Sequence, residues 1–252
     1  MNLLITAGGT SEKIDDVRHL TNHATGSLGK AIAESFQENK DITIHYVYGP
    51  KAVLPKGDNI TFYSINSVRE LEKQMKSLLT TLTFDFVIHS MAVSDYELQK
   101  PTNEVQLSEE LALLIADKKP NSTKELAKVI EEGLLASTMD ATTEKKISSQ
   151  QEKLILIMQK APKVIKSIKT WQPHTTLIGF KLLVDVTEEE LVAVAQKSIV
   201  TNQADFILAN DLVHIDGDNH IGLLVSSQGV EKRFSTKPEI AQGLKTLILE
   251  NS

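Results

Sequence analysis

Cysteine is absent from this chain of 252 residues. That absence excludes disulfides, thiolate metal sites and a cysteine nucleophile, and it fits a reducing compartment. A surplus of positive charge is missing too: 27 Lys and Arg stand against 33 Asp and Glu, a formal net charge of −6. No basic field is available to hold a nucleic-acid backbone, so any anion must be bound locally. No apolar run approaches the roughly 18 residues that a spanning helix needs, and no basic segment precedes the short apolar stretch at the N-terminus. Neither a membrane segment nor a signal peptide is expected, and a cytoplasmic location is. Of the seven histidines only His19 and His23 show H-x-x-x-H spacing, and they lie in the polar stretch before the first helix and not on a helix, so no protein-only metal site is expected either. What is present in quantity is 41% hydrophobic and 24% charged residues, enough to bury a core as one large α/β domain over 1–252.

Short β-branched runs alternate with helical patterns, the order of parallel strands joined by crossover helices. NLLITA reads as a buried strand. Residues 27–39 place Leu28, Ile32, Ser35 and Phe36 on one helical stripe, and ITIHYVYG resumes strand character. SVRELEKQMKSLL carries an apolar helical seam at Val68, Leu71, Met75 and Leu78, and FDFVIHS is a third strand ending at Met91. TTLIGF, the helix TEEELVAVAQKSIV and ADFILAND repeat the scheme. The tail VHIDGDNHIGLLVSSQGVEKRFST alternates apolar positions with turn residues, which predicts a β-hairpin or meander before a closing helix near PEIAQGLKTLILE. The expected fold is a Rossmann-like, doubly wound, mostly parallel sheet with that antiparallel addition. A polar insertion at about 97–152, with helical patches SEELALLIADKK and STKELAKVIEEGLLA and a strand KLILIM, is either a flap or partner arm or an ordinary surface elaboration.

Two glycine clusters fall near the chain start. Gly8 and Gly9 follow the first strand, at the carboxyl edge where doubly wound sheets bind ligands. The dinucleotide spacing G-x-G-x-x-G is absent and about a dozen polar residues intervene before the helix, which disfavours a nicotinamide site and, with no Y-x-x-x-K dyad evident on a helix, a short-chain oxidoreductase. The second cluster, Thr25-Gly26-Ser27-Leu28-Gly29, stands where a helix begins. Its spacing suits a phosphate cradle, and equally a Thr N-cap followed by a glycine packed on the strand.

The run ITAGGTSEKIDDVRHLTNHATGSLGKAIAE resembles the signature of the phosphopantothenoylcysteine synthetases, T-x-G-G-T-x-x-x-(I/L)-D-x-V-R-x-(I/L)-x-N-x-S-S-G-x-x-G. Later landmarks agree in order: MAVSDY, then KISS followed by LILIMQKAPKVI, then IGFK and ILAND. The likeness runs from residue 3 to about 212. The flavin-dependent decarboxylase half to which such synthetases are often fused is not represented, which makes the chain look like a stand-alone form.

The resemblance implies a homodimeric ligase of coenzyme A biosynthesis. The carboxylate of 4'-phosphopantothenate attacks the α-phosphate of CTP, or of ATP, pyrophosphate leaves, and the amine of L-cysteine displaces NMP from the acyl nucleotidylate. Mg²⁺ is expected to arrive with the triphosphate. By the same resemblance Asn22 orients the acyl group, and Lys146, or its neighbour Lys145, is the flap lysine that neutralises charge at the α-phosphorus. Gly8, Gly9, Thr25, Gly26, Gly29 and Asn210 are implied to hold the substrate phosphate. Ala92, Val93, Asp95, Phe180 and Lys197 are implied to meet the nucleotide or substrate. His23 is the variable residue of the N-x-S-S-G loop. The chain departs from the pattern at Ala24, where a phosphate-contacting serine is usual, at Ser148 and Ser149, where bacterial members carry lysines, and at Asn202, where a second helical lysine is usual. A non-catalytic phosphate-binding homologue would have kept the loop and lost Asn22 and the flap lysine.

Overall fold

Leu3, Leu4, Ile5 and Ala7 are all fully buried, so the first strand has no solvent face. Such a strand belongs in the middle of a parallel sheet covered on both sides. The computed structural model, which describes residues 1–136 and 153–251, puts it there. In chain order the elements begin with β1 (Asn2–Ala7), β2 (Ser11–Lys13), β3 (His19–Thr21), α1 (Ser27–Ser35), β4 (Thr43–Tyr48), β5 (Ile60–Ser64), α2 (Val68–Thr81), β6 (Phe86–His89), β7 (Tyr96–Thr102), α3 (Glu104–Lys118) and α4 (Thr123–Ala136). After the undescribed stretch come β8 (Ile155–Lys160), α5 (Val164–Trp171), β9 (Thr176–Leu183), α6 (Glu188–Asn202), β10 (Phe206–Asp216), β11 (Asn219–Ser226), β12 (Gly229–Thr236) and α7 (Lys237–Glu250).

These elements fall into two compact units. One comprises Met1–Ser11, Thr21–Ser94 and Pro162–Ser252, and the other Glu12–Leu20 and Asp95–Ala161. The first holds an eight-stranded sheet in the order β12-β11-β10-β9-β6-β1-β4-β5. From β5 to β10 every pairing is parallel, and β11 and β12 add on antiparallel, as the alternating tail predicts. Counting the parallel strands alone gives 3-2-1-4-5-6, the doubly wound order, with its reversal between β1 and β6. α1 and α7 pack together over one face, where Ile32, Phe36, Ile240 and Leu244 meet Leu3, Ile5 and Ile88, while α2, α5 and α6 form a second row. In the second unit β7 pairs antiparallel with β8, and α3 packs on α4.

Most helix starts follow directly from side chains that can replace the missing intrahelical partners. Ser67, Asn103, Thr187 and Thr236 cap α2, α3, α6 and α7, each accepting from the backbone N–H three residues on. Thr187 and Glu190 form a complete capping box. α1 differs in two respects. It ends at Ser35 instead of continuing to residue 39, because Phe36 N–H bonds back to Ala33 O and tightens the chain into a turn. It also begins without a side-chain cap.

Candidate functional site

Strand order alone selects the place to look, since ligands of doubly wound sheets bind outside the carboxyl ends of the strands where the order reverses. Here that point lies between the loop after β1, Gly8-Gly9-Thr10, and the loop after β6, Ser90-Met91-Ala92-Val93. The two loops are stitched by backbone bonds, Ala92 N–H to Gly8 O at 2.8 Å and Thr10 N–H to Ala92 O at 3.1 Å. Thr10 is fully buried and acts as a hub. Its Oγ1 accepts from Ser94 N–H at 2.9 Å, and its carbonyl accepts from the Thr21 hydroxyl at 3.1 Å. Thr10 belongs to the T-x-G-G-T run, yet its role as a hub could not be read there, because three of its partners lie 11 to more than 80 residues away.

Thr21 delivers its exposed neighbour Asn22 to the same point. The Asn22 carboxamide donates to Ala92 O at 3.3 Å. An amide carries two donor hydrogens and a carbonyl acceptor, so one N–H is spent on Ala92 and the other stays with the solvent-facing end of the group. Ala92 and Val93 are half-buried beside it.

The second glycine cluster closes the arrangement from the α1 side. Gly26 is the N-cap, in the left-handed conformation at φ 69°, and a Cβ there would lie 2.7 Å from Gly8 N, so no other residue fits without displacing the first loop. Thr25 is not the cap. Its hydroxyl accepts from Ser27 N–H at 3.4 Å, and its carbonyl accepts from Val53 N–H at 2.9 Å in the loop after β4. The first turn of α1 has no acidic residue and no N-cap side-chain bond, so apart from the long bond from Ser27 N–H to Thr25 the positive end of the helix dipole is open to an anion. Gly29 does something different: a Cβ there would fall 2.6 Å from Cβ of Ala7, so its use is close packing of α1 on β1. Of the two readings left open for this cluster, the geometry gives Gly29 the close packing on the strand and makes Gly26, not Thr25, the cap.

Other candidate residues lie elsewhere. Asn210 is buried within β10, donates to Ile221 O at 3.0 Å, and stands three strand spacings, about 14 Å, from β1. Phe180 on β9 packs against the hydrophobic core. Lys197 is exposed on α6, on the side away from buried Ala195 and ~14 Å along the helix from its first residue. Asp95 falls in the second unit, where its carbonyl accepts from Ala161 N–H at 2.9 Å. Lys145, Lys146, Ser148 and Ser149 lie outside the described residues.

Residues without an assigned role also organise the edge. Asp211, the last residue of ILAND, accepts from the N–H groups of Asp185, Val186 and Val213 at 3.0, 3.0 and 3.1 Å. Its Val186 bond above all holds its carboxyl below the ordinary range. Asp15 binds Arg18 through Nε at 3.0 Å and Nη2 at 2.6 Å, so the D-x-V-R part of the signature is a fork that fixes a turn. His89, at the end of β6, is buried with Nδ1 3.0 Å from Thr6 Oγ1, and desolvation pushes its pKa down to about 4. Among the described residues no three His, Asp or Glu side chains converge on a point that could hold a metal ion, and no helix is long and apolar enough to cross a membrane.

The fold and this edge define a doubly wound α/β protein with a glycine-capped helix start and a polar amide at the switch point. The model of the family described as DNA/pantothenate metabolism flavoprotein C-terminal domain matches residues 1–133 and 137–251, and the chain belongs to that family. It is similar over its whole length to the crystal structure of the DNA/pantothenate metabolism flavoprotein from Streptococcus pneumoniae, with 36% identity, complete coverage of both chains and a TM-score of 0.81. The coenzyme A biosynthesis bifunctional protein CoaBC of Thermococcus kodakarensis is 27% identical over 96% of this chain and 49% of its own. The chain thus spans about half the length of the curated relatives it matches. A structure of a Cab2 variant in complex with phosphopantothenate-cysteine shares the fold, with a TM-score of 0.67 at 14% identity over 99% of this chain and 87% of that one.

Proposed function

We propose that this chain is a phosphopantothenate–cysteine ligase. The observation that carries the reading is the pairing of an uncapped α1 start, closed by Gly8 and Gly26, with the Asn22 amide held on Ala92 O across the switch point. One part suits a substrate phosphate and the other a reacting carboxyl. Membership of a pantothenate-metabolism family and a similar fold that carries phosphopantothenate-cysteine in another protein support it.

A carboxylate is a poor acyl donor and must become a mixed anhydride before an amine can displace anything from it. In this reading the N–H groups of α1 and the Gly8-Gly9 loop fix the phosphate of 4'-phosphopantothenate, and the pantoyl end runs toward Ala92 and Val93. The substrate carboxylate oxygen attacks the α-phosphorus of the nucleotide and pyrophosphate leaves. The remaining Asn22 N–H holds the acyl oxygen while the L-cysteine amine attacks the carbonyl carbon; NMP departs and the amine loses its proton. The role of neutralising charge at the α-phosphorus is assigned to Lys146, or to its neighbour Lys145. CTP is favoured, with ATP the alternative. Mg²⁺ carried by the triphosphate would supply charge neutralisation there. Asp95, Phe180, Lys197 and Asn210 retain their nucleotide or substrate roles only with contributions beyond the α1 edge, and the proposed homodimer is where such contributions would come from.

The test is pyrophosphate release by purified protein given 4'-phosphopantothenate and Mg²⁺, with CTP or ATP, with and without cysteine. Cysteine-dependent turnover is the expected result and ranks the two nucleotides. No release with either nucleotide would overturn the ligase reading and leave a phosphate-binding homologue.

A further inference from the structure

Beneath the switch point lies a group of buried polar side chains that the proposed reaction does not use. Thr6 on β1 is fully buried and in register with His89 on β6. Thr6 Oγ1 accepts from Met91 N–H at 3.3 Å and lies 3.0 Å from His89 Nδ1. The Ser90 hydroxyl donates to Thr6 O at 2.6 Å. A threonine hydroxyl has one hydrogen to give, and His89 Nδ1 is the acceptor within reach, which assigns His89 the Nε2–H tautomer.

The position of these bonds along the chain gives them their meaning. The β1–β6 ladder ends at Thr6 and His89, and pairing resumes only at the bridge between Gly9 and Ala92. Ser90 and Met91 cross that gap, and what holds them is Thr6, through its carbonyl and its hydroxyl. The next residue is Ala92, whose carbonyl receives the Asn22 amide. Ala92 is itself bonded to Gly8 and Thr10, and Thr6 adds the hold on the two residues before it, which narrows the positions its carbonyl can take.

We propose that Thr6, with His89 as its acceptor, is a positioning residue for the reaction: it fixes the Ser90–Ala92 turn and thereby sets where Asn22 presents its free N–H. This rests on the ligase reading and on the role given there to Asn22. Thr6 touches no substrate and acts through another side chain, so its effect must vanish when that side chain is removed.

A double-mutant cycle on the full chain tests this, with cysteine-dependent turnover measured for wild type, Thr6→Val, Thr6→Ser, Asn22→Ala and Thr6→Val/Asn22→Ala. Thr6→Val keeps the shape and loses the hydroxyl. It is expected to lower kcat about 10-fold with KM for 4'-phosphopantothenate within about 2-fold, Thr6→Ser to restore kcat to within about 2-fold, and Thr6→Val to cost under about 2-fold on the Asn22→Ala background. The proposal is overturned if the 10-fold loss persists on that background, if Thr6→Ser falls as far as Thr6→Val, or if KM rises with kcat unchanged. Wild-type turnover in Asn22→Ala would instead overturn the role of Asn22, and this proposal with it. If Thr6→Val does not fold, His89→Leu removes the acceptor and enters the same cycle under the same criteria.

Discussion

Asn22 spends one hydrogen on Ala92 O and faces solvent with the rest of its amide. Asn22→Asp replaces those donors by a carboxylate at almost the same volume. The fold should survive and amide formation should slow by about 100-fold, the usual cost of losing a donor aimed at developing charge. Single-turnover kinetics with cysteine in excess would show the step affected, and an unchanged rate would remove Asn22 from the chemistry. Lys146→Gln is expected to lower turnover by at least about 100-fold with either nucleotide, whereas a solvated loop lysine would give a change of less than about 2-fold. Individual residues were unevenly legible. Asn22 and Gly26 stand out through the motif around them, but the hub at Thr10 and the Thr6–His89 pair appear only once distant segments are adjacent. Asn210 and Lys197 are motif positions whose side chains the fold places away from the α1 edge.

Gly29 is the residue on which α1 sits against β1. Gly29→Ala would put a methyl 2.6 Å from Ala7 Cβ, on a central strand that cannot yield. A loss of about 1–3 kcal/mol is expected, read as a lower urea midpoint at constant m-value. The long elements and their parallel order are readable from periodicity because β1, β6 and α2 bury continuous or regularly spaced apolar residues. Others carry weaker signals. β5 is a half-exposed edge strand, α5 is short and lacks a side-chain cap, and β2 and β3 have three residues each. β7 contains Pro101 and mostly polar residues, which a ribbon paired on one side tolerates and a central strand does not. The start of α1 at Ser27 is legible but its cap is not: Thr25 is the better capping residue by composition, and the approach of Gly8 makes Gly26 the cap.

At the scale of the whole molecule, buried imidazoles contribute to the loss of stability in acid. Desolvation holds His89 neutral to about pH 4, whereas the unfolded chain takes up a proton near 6.5. Between those values the unfolded state binds more protons, so stability falls as the pH drops from about 6.5 to about 4, by on the order of 3 kcal/mol for His89 alone. His220 is pushed down to about 4 as well, by burial and then by Lys237, and acts in the same direction. Urea titrations at pH 7 and pH 5 should show a smaller loss for His89→Leu than for the wild-type chain; equal losses would mean that His89 takes up its proton normally when folded. The bare start of α1 has a consequence of another kind. Ser67, Asn103, Thr187 and Thr236 cap their helices from within the chain, each a contribution of about 1 kcal/mol, while α1 has only the 3.4 Å bond from Ser27 N–H to the Thr25 hydroxyl. A ligand that binds there is linked to folding: at 100 times its Kd it raises the unfolding free energy by about 2.7 kcal/mol. Melting curves should therefore move upward with 4'-phosphopantothenate and much less with pantothenate at the same concentration. Under the ligase reading, the native state of this protein is then a mass-action quantity, set in part by how much phosphorylated substrate surrounds it.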